Sequence, residues 1–263
     1  MSSIPKYIQL IKHISNWTLY FKRKHEKGLT ARYRTNGAKL VFDVPPKFYE
    51  VFREIFMEDF YRIDDLVKHL PAEPTIIDIG GNVGFFSFLL SSKKKGAKIY
   101  AFEPMIENVK VFNDNIKLNA SLSEKILLFN QAVTGNNNGH IDLFFDNVTD
   151  NSVIASVVKD FSAQNTQVKK VAAISLERIF EENDLWRVDL LKVDCEGSEY
   201  PIFYDSPASL FDKIQTIAIE SHELDQQQRN TACLVTFLED KGFTVDRFMA
   251  ENNCYYLKAY REN

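Results

Sequence analysis

From residue 75 onward the chain alternates short runs rich in β-branched and aromatic residues with helical patterns, and that rhythm restricts the fold more than any other feature. Parallel neighbours need a crossover between them, so the alternation implies a parallel sheet with helices on both faces. TIIDIGG (75–81) reads as a first strand, VGFFSFLLSSKKK (83–95) as a helix and AKIYAFEP (97–104) as a second strand. IENVKVFNDNIKLN (106–119) then reads as a helix and KILLFNQAV (125–133) as a third strand. Between about 134 and 188 the rhythm breaks: GNNNG is a turn, HIDLFFD and the stretch near Val153 to Val158 read as hairpin strands, and SLERIFEEND as a helix. This is an insertion or an elaborated crossover. VDLLKVDCEG (188–197) resumes the sheet, with Ser198 as an N-cap and Pro201 in a first helical turn that needs no intrahelical N–H donor. TIAIESHEL (216–224) is a fifth strand, QRNTACLVTFLEDKGF a helix, and TVDRFMAENNCYYLKAYRE (244–262) two strands about Asn252–Asn253, necessarily antiparallel. The expected architecture is α/β: a seven-stranded, mostly parallel sheet over residues 71–263, with an antiparallel last strand. Residues 1–70 form an N-terminal extension, with a hairpin about Asn36–Gly37 in TARYRTNGAKLVFDV (30–44) and a helix or cap running to Asp65.

Composition narrows the function. The 263 residues are 45% apolar and 26% charged, as in a globular protein with one main domain. A net charge of −4 offers no basic face for nucleic acid, and none is expected as a partner. Cys195, Cys233 and Cys254 are odd in number, widely spaced and not arranged as C-x-x-C, which argues against a disulfide framework or a zinc site and fits a reducing cytoplasm. No window approaches 18 uninterrupted apolar residues. Residues 1–28 carry Lys6, Lys12, Lys22, Arg23, Lys24 and Lys27 against Glu26 alone, and Ile4, Ile8, Ile11 and Ile14 or Trp17 fall at helical spacing. Lys12 and His13 interrupt any signal-peptide core. The segment is expected to pack on the body or on the partner of a homodimer; peripheral membrane contact is the other reading.

The turn DIGGNVG, Asp78 to Gly84, sits where the first strand feeds the first helix, the place where open parallel sheets bind ligands. A dinucleotide fingerprint needs glycine two and five positions after Gly80, where this chain has Asn82 and Phe85, so a nicotinamide oxidoreductase is disfavoured. AFEP places Glu103 at the end of the second strand, 19 residues after Gly84, where an acid accepts ribose hydroxyls. Asn130, Gln131 and Ala132 close the third strand at a usual place for contacts to an adenine edge.

DLLKVDCEGSEY (189–200) begins as a buried strand and ends with Lys192, Asp194, Glu196 and Glu199 within eight positions. Burying unpaired charge costs several kcal/mol, so a purely structural strand has little use for such a tip. Strand alternation puts Lys192, Asp194 and Glu196 on one side and Leu191, Val193 and Cys195 on the other, Cys195 as an apolar filler. Glu220 and His222 share a face of the next strand. The alternative is a satisfied ion-pair knot that only fixes the strand against its helix.

Taken together, DIGGNVGFFS, YAFEP, NQAV, LLKVDCEGSEY and IESHEL resemble the FkbM-type methyltransferases in order and spacing, over about residues 33 to 260. The K-x-D-x-E-G-x-E match at 192–199 is the most specific part. The resemblance implies a class I, Rossmann-like fold and an S-adenosylmethionine-dependent O-methyltransferase acting on a hydroxyl of a sugar, glycan or natural product. It implies a donor site of Asp78, Gly80, Gly81, Asn82, Gly84, Phe85, Glu103, Pro104, Asn130, Gln131, Ala132 and Asp194. Methyl transfer to a hydroxyl needs alignment and a base. A carboxylate against the sulfonium stabilises a ground-state charge that the reaction removes, which favours His222 as base, with Asp194 next and Glu196 also in reach. Lys192 is expected to pair with Glu196 or Glu199, and Glu199, in a first helical turn, to be structural. Asp194, Glu196, Glu220 and His222 offer ligands for Mg²⁺ or Mn²⁺, but no local spacing demands a metal and none is expected. A catalytically silent, partner-binding copy of the fold remains the alternative to an enzyme. Acceptor choice is expected to lie in residues 1–28 and 134–188.

Overall fold

A computed structural model describes residues 4–26, 28–145, 155–158, 165–249 and 254–262. Helices α1 (Ile4–His13) and α2 (Leu19–His25) lead into a hairpin of β1 (Ala31–Arg34) and β2 (Val41–Val44), paired antiparallel. Gly37, at φ 71°, lies in the intervening loop. Helix α3 (Tyr49–Arg53) runs into a π-turn at Glu54–Glu58, which Asp59 ends in the left-handed region at φ 52°; α4 (Ile63–Lys68) follows. The main body then runs β3 (Thr75–Ile79), α5 (Phe85–Lys93), β4 (Lys98–Phe102), α6 (Ile106–Lys117) and β5 (Ile126–Phe129). After these come β6 (Ala132–Thr134), β7 (His140–Phe145), β8 (Ala155–Ser156), β9 (Gln167–Ser175) and α7 (Leu176–Glu182). The chain closes with β10 (Leu190–Val193), α8 (Glu199–Tyr204), β11 (Thr216–His222), α9 (Thr231–Asp240), β12 (Thr244–Met249) and β13 (Cys254–Tyr260).

The seven-stranded sheet has the order β12-β13-β11-β10-β3-β4-β5. Only β13 runs against its neighbours, pairing antiparallel with both β11 and β12. The inner strands are apolar runs buried on both faces, as parallel strands covered by helices must be. From β3 the chain moves outward through β4 to β5, then returns to the opposite side of β3 as β10. A crevice opens at such a switch point, beyond the carboxyl ends of β3 and β10.

Four local expectations change. The third strand divides: Ile126–Phe129 stays in the main sheet, while Ala132–Thr134 pairs in parallel with β9 in a second sheet. Asn130 makes the break, its amide donating to the carbonyls of Glu103 and Pro104 (both 2.9 Å) instead of continuing the ladder. In the inserted region β7 pairs fully with β9 and by two residues with β8; Val153 and Ile154 lie outside the described residues, as do Asn252–Asn253. The N-terminal helix turns only part of its expected apolar face inward. Leu10, His13 and Ile14 are buried, whereas Ile8 and Ile11 are 59% and 46% exposed. Lys6 pairs with Glu58 and Lys12 with Asp64, so two of its cations are spent on the body of the protein. Finally, Ser198 stands at the N-cap of α8 without a side-chain cap bond; the Glu199 carboxylate accepts the Gly197 N–H instead, at 2.7 Å.

Candidate active site

The tips of β3, β4, β10 and β11 open into one cavity of about 1180 Å³. Its floor is the turn after β3, where Gly80, Gly81 and Asn82 are followed by Phe85 on α5. Backbone space dictates this sequence. A Cβ at Gly80 would lie 1.7 Å from the Asp194 carbonyl oxygen, so the tips of β3 and β10 approach only because no side chain intervenes. Asn82 holds φ at 48°, and its buried Oδ1 has no partner among the described residues, leaving an acceptor for a ligand.

Glu103 lines the next part of the wall with Pro104, Gln131 and Ala132. Its carboxylate accepts the N–H groups of Asn82 (2.9 Å) and Met105 (2.8 Å) and the amide of Asn108 (3.3 Å). Burial nonetheless outweighs these bonds and lifts Glu103 to about 7. Its Oε2 accepts from Asn82 alone among these donors, so a lone pair is left for a ligand hydroxyl. A glycine-walled floor, an unsatisfied amide oxygen and a carboxylate with spare capacity fit a nucleoside bearing ribose hydroxyls. Asp78, Gly84 and Asn130 stand behind this wall. Asp78 is fully buried, accepting from Ser87 at 2.7 Å. Gly84 makes room for the Phe112 ring, which a Cβ would approach to 2.2 Å, and Asn130 holds the Glu103–Pro104 backbone.

Lys192 joins floor to wall. Its ammonium donates to the Gly80 carbonyl (2.7 Å) and pairs with Asp78 and Asp194 (both 3.3 Å). The expected pairing with Glu196 or Glu199 does not form, because β10 ends at Val193 and the chain turns through Glu196 at φ 48° and Gly197 at φ 100°, carrying Glu196 away. Burial alone would strip the proton from Lys192, but Asp194 and Asp78 raise its pKa above the ordinary value. The same lysine outweighs desolvation at Asp194 and keeps that carboxyl low.

At the far end Glu196, Glu220 and His222 come together. His222 Nδ1 lies 3.1 Å from Glu199 Oε1, and Nε2 lies 3.3 Å from Glu196 and 3.6 Å from Glu220. Glu199, fully buried, also accepts the His222 backbone N–H at 3.0 Å. It therefore orients the imidazole, a task its place in a first helical turn did not reveal. Desolvation would lower His222, but Glu199, Glu220 and Glu196 push it up to about 11. Glu196 is raised to about 8, chiefly by burial. Cys195 lies on the cavity wall, and burial pushes its thiol well up, away from thiolate chemistry.

Several lining residues had no signal in the sequence. Tyr61 donates to Asp194 at 2.6 Å, and Glu54, Met57 and Phe60 come from a segment whose short, π-distorted helices carry no clear period. From the inserted region, Leu143 and Val157 line the cavity and the Ser156 hydroxyl donates to the Glu196 carbonyl. Phe248, Met249 and Cys254 of the last two strands complete it.

Comparison with known proteins identifies the family. Residues 78–245 match the model of the methyltransferase FkbM domain. Methyltransferase sdnD of Sordaria araneosa is 29% identical over 226 residues, covering 76% of this chain and 84% of its own. Methyltransferase 1 of Beauveria bassiana is 28% identical over 214 residues, covering 74% and 80%. Among solved structures, methyltransferase FkbM of Methylobacillus flagellatus aligns with a TM-score of 0.49 at 13% identity, over 81% of this chain and 54% of that one. The chain is an S-adenosylmethionine-dependent methyltransferase and belongs to the FkbM methyltransferase domain family.

Proposed function

We propose that the enzyme methylates a hydroxyl of a sugar, glycan or natural-product acceptor, and that Glu196 receives the hydroxyl proton. One observation carries this reading: a single cavity is lined at one end by the glycine turn and Glu103 and at the other by Glu196 and His222. S-adenosylmethionine supplies an electrophilic methyl group; the acceptor oxygen bonds to its carbon, the C–S electron pair stays on sulfur, and the hydroxyl proton passes to the enzyme. Gly80, Gly81 and Asn82 would pass close beneath the donor, Glu103 would take its ribose hydroxyls, and Gln131 and Ala132 its adenine edge. Lys192 keeps the Gly80 carbonyl in place and would balance the charge of Asp194 next to a bound donor.

The choice of Glu196 over His222 follows from hydrogen-bond logic. Both ring nitrogens face carboxyl oxygens, at 3.1 and 3.3 Å, and with His222 pushed up to about 11 both act as donors and neither keeps a lone pair for a substrate proton. Glu196, raised to about 8, accepts a proton in its ionised form, so turnover should rise with pH toward that value. His222 and Glu199 are then positioning residues that fix Glu196. The N-terminal segment and the region 134–188, which supply Met57, Phe60, Leu143 and Val157, select the acceptor. The free thiols of Cys195, Cys233 and Cys254 support a cytoplasmic setting.

The test is radiolabelled methyl transfer to glycans and small molecules of a host extract, paired with calorimetry of donor binding. Glu196→Gln should leave donor affinity within a few-fold and cut turnover by about 10²–10⁴-fold, whereas Glu103→Ala should weaken donor binding first. Full turnover in Glu196→Gln would move the proton acceptor elsewhere. No binding of S-adenosylmethionine at millimolar concentration would end the donor-site assignment.

A further inference from the structure

Glu220, His222 and Cys254 bring three different donor atoms to one spot on the cavity wall, all within 4.8 Å of one another. The fold builds the spot from paired strands. His222 of β11 stands directly opposite Cys254 of β13, and Glu220 shares the His222 face two residues earlier. Glu220 Oε1 is 3.0 Å from Cys254 Sγ and 3.6 Å from His222 Nε2. A tetrahedral ion bound at zinc-like distances holds its ligand atoms about 3.3–3.8 Å apart; the two separations from Glu220 fall close to that range and the third lies within 4.8 Å. We propose that Glu220, His222 and Cys254 bind one zinc-class divalent cation, with the fourth position open to the cavity.

Three independent features favour that occupant. His222 Nδ1 is held by the buried Glu199 carboxylate, the outer contact that turns the second nitrogen of a ligand histidine toward a metal. Glu196 Oε2, 3.3 Å from His222 Nε2, adds a further carboxyl oxygen beside the three ligand atoms on the same wall. One thiol and one imidazole beside a single carboxylate suit a borderline-soft ion better than Mg²⁺. Binding would replace the Nε2 proton of His222 and the Cys254 proton, both released to solvent. Three protein ligands with one open position is the catalytic pattern of such ions, and Glu196, 3.3 Å from Nε2, would border the open position. An acceptor hydroxyl bound there would be more acidic and would face Glu196. That use of the ion, in which it takes over from the Nε2 proton as the positive charge facing Glu196, rests on the methyl-transfer reading above; the ion's presence does not. The sequence offered Glu220 and His222 among possible ligands but not this set, because Cys254 reaches it only through strand pairing.

The experiment strips the full-length protein with a chelator and titrates it with Co²⁺. Visible bands and a near-ultraviolet thiolate-to-cobalt band should saturate together at equal molar amounts. Cys254→Ala should lose the near-ultraviolet band, and Glu220→Gln should weaken Co²⁺ binding by more than about tenfold. A measurement on the unmutated chain guards against misfolded variants: Zn²⁺ should slow alkylation of Cys254 by more than about tenfold relative to Cys233. Absence of the band at millimolar Co²⁺, its survival in Cys254→Ala, or unchanged alkylation would overturn the proposal. Donor binding, measured by calorimetry on the same samples, separates the outcomes: donor without metal sinks this site alone, and metal without donor sinks the donor-site assignment alone.

Discussion

Gly80 and Lys192 hold the two central strand tips together by opposite means, one by lacking a side chain and one by filling the gap with a charge. Gly80 sits at φ 72°, with the Asp194 carbonyl oxygen 1.7 Å from where a Cβ would be. Gly80→Ala therefore combines left-handed strain with a separation of β3 from β10, together about 3 kcal/mol or more. The urea midpoint should fall and donor affinity fall with it. Gly81→Ala meets only the Phe112 ring edge, at 3.2 Å, and should be much milder; equal losses in the two variants would contradict the close-approach argument. Lys192 is 2% exposed and faces two carboxylates. Lys192→Met leaves Asp78 and Asp194 without their cation, and removing one partner of a buried ion group costs about 3–5 kcal/mol. A double variant, Lys192→Met with Asp78→Asn, should recover part of that loss in the same unfolding assay.

The first helix shows how an element is attached by groups that titrate. His13 is buried on α1, and its Nδ1–H donates to the Phe56 carbonyl at 3.2 Å. Burial, then the nearby Lys93 ammonium, lowers its pKa to about 4, with Asp64 and Lys12 as the other charges facing it. Because the folded value lies below the unfolded one, this contribution is complete above pH 6.5 and disappears as pH falls toward 4, an effect on the order of 3 kcal/mol. Asp64 is held down at about 2 against desolvation by Lys12 and Lys93, so its contribution fades only as pH falls below 4 toward 2. Detachment of α1 should thus begin in the His13 window. Trp17 fluorescence reports it, since Trp186 is already 80% exposed. His13→Leu should flatten the change between pH 6.5 and 4; an unaltered profile would exclude His13 as its cause. The sequence revealed this attachment only in part: of the apolar face marked by Ile4, Ile8, Ile11 and Ile14 or Trp17, tertiary contacts bury Ile14 but leave Ile8 and Ile11 exposed, and they select Leu10 and His13 as well. The central strands were legible because burial on both faces leaves continuous apolar runs. Strand β9 was not, since its lysines at 169 and 170 interrupt the alternation. The donor turn and Glu103 were legible for a related reason: local chain geometry dictates their residue types. Tyr61, Glu199 and Cys254 act through contacts far apart in sequence, and only folding brings them to the site.

At the scale of the whole molecule, the boundary near residue 70 is a boundary in pattern and not in packing. One apolar cluster runs from Leu10, Tyr33, Phe42, Phe52 and Phe56 of the N-terminal segment into Phe85, Phe88 and Phe112 of the sheet-covering helices. Phe42 lies 5.4 Å from Phe85 and 5.9 Å from Phe88, ring centre to ring centre. Phe85 itself follows the glycine turn and lines the cavity, so the extension supports the proposed donor end of the cavity. Fully burying each such aromatic is worth about 1.5–3 kcal/mol. Losing the extension's share of the cluster therefore removes an amount comparable to the 5–15 kcal/mol that typically holds a whole domain. The full chain should unfold in urea as one transition, coincident by near- and far-ultraviolet circular dichroism. A chain beginning at residue 71 should keep helical signal but lose near-ultraviolet signal and donor binding, and should bind a hydrophobic dye, because the faces of α5 and α6 are laid open. Cooperative unfolding of that shortened chain with full donor affinity would show instead that the sheet folds alone, and that the N-terminal segment serves only to cover the acceptor end of the cavity.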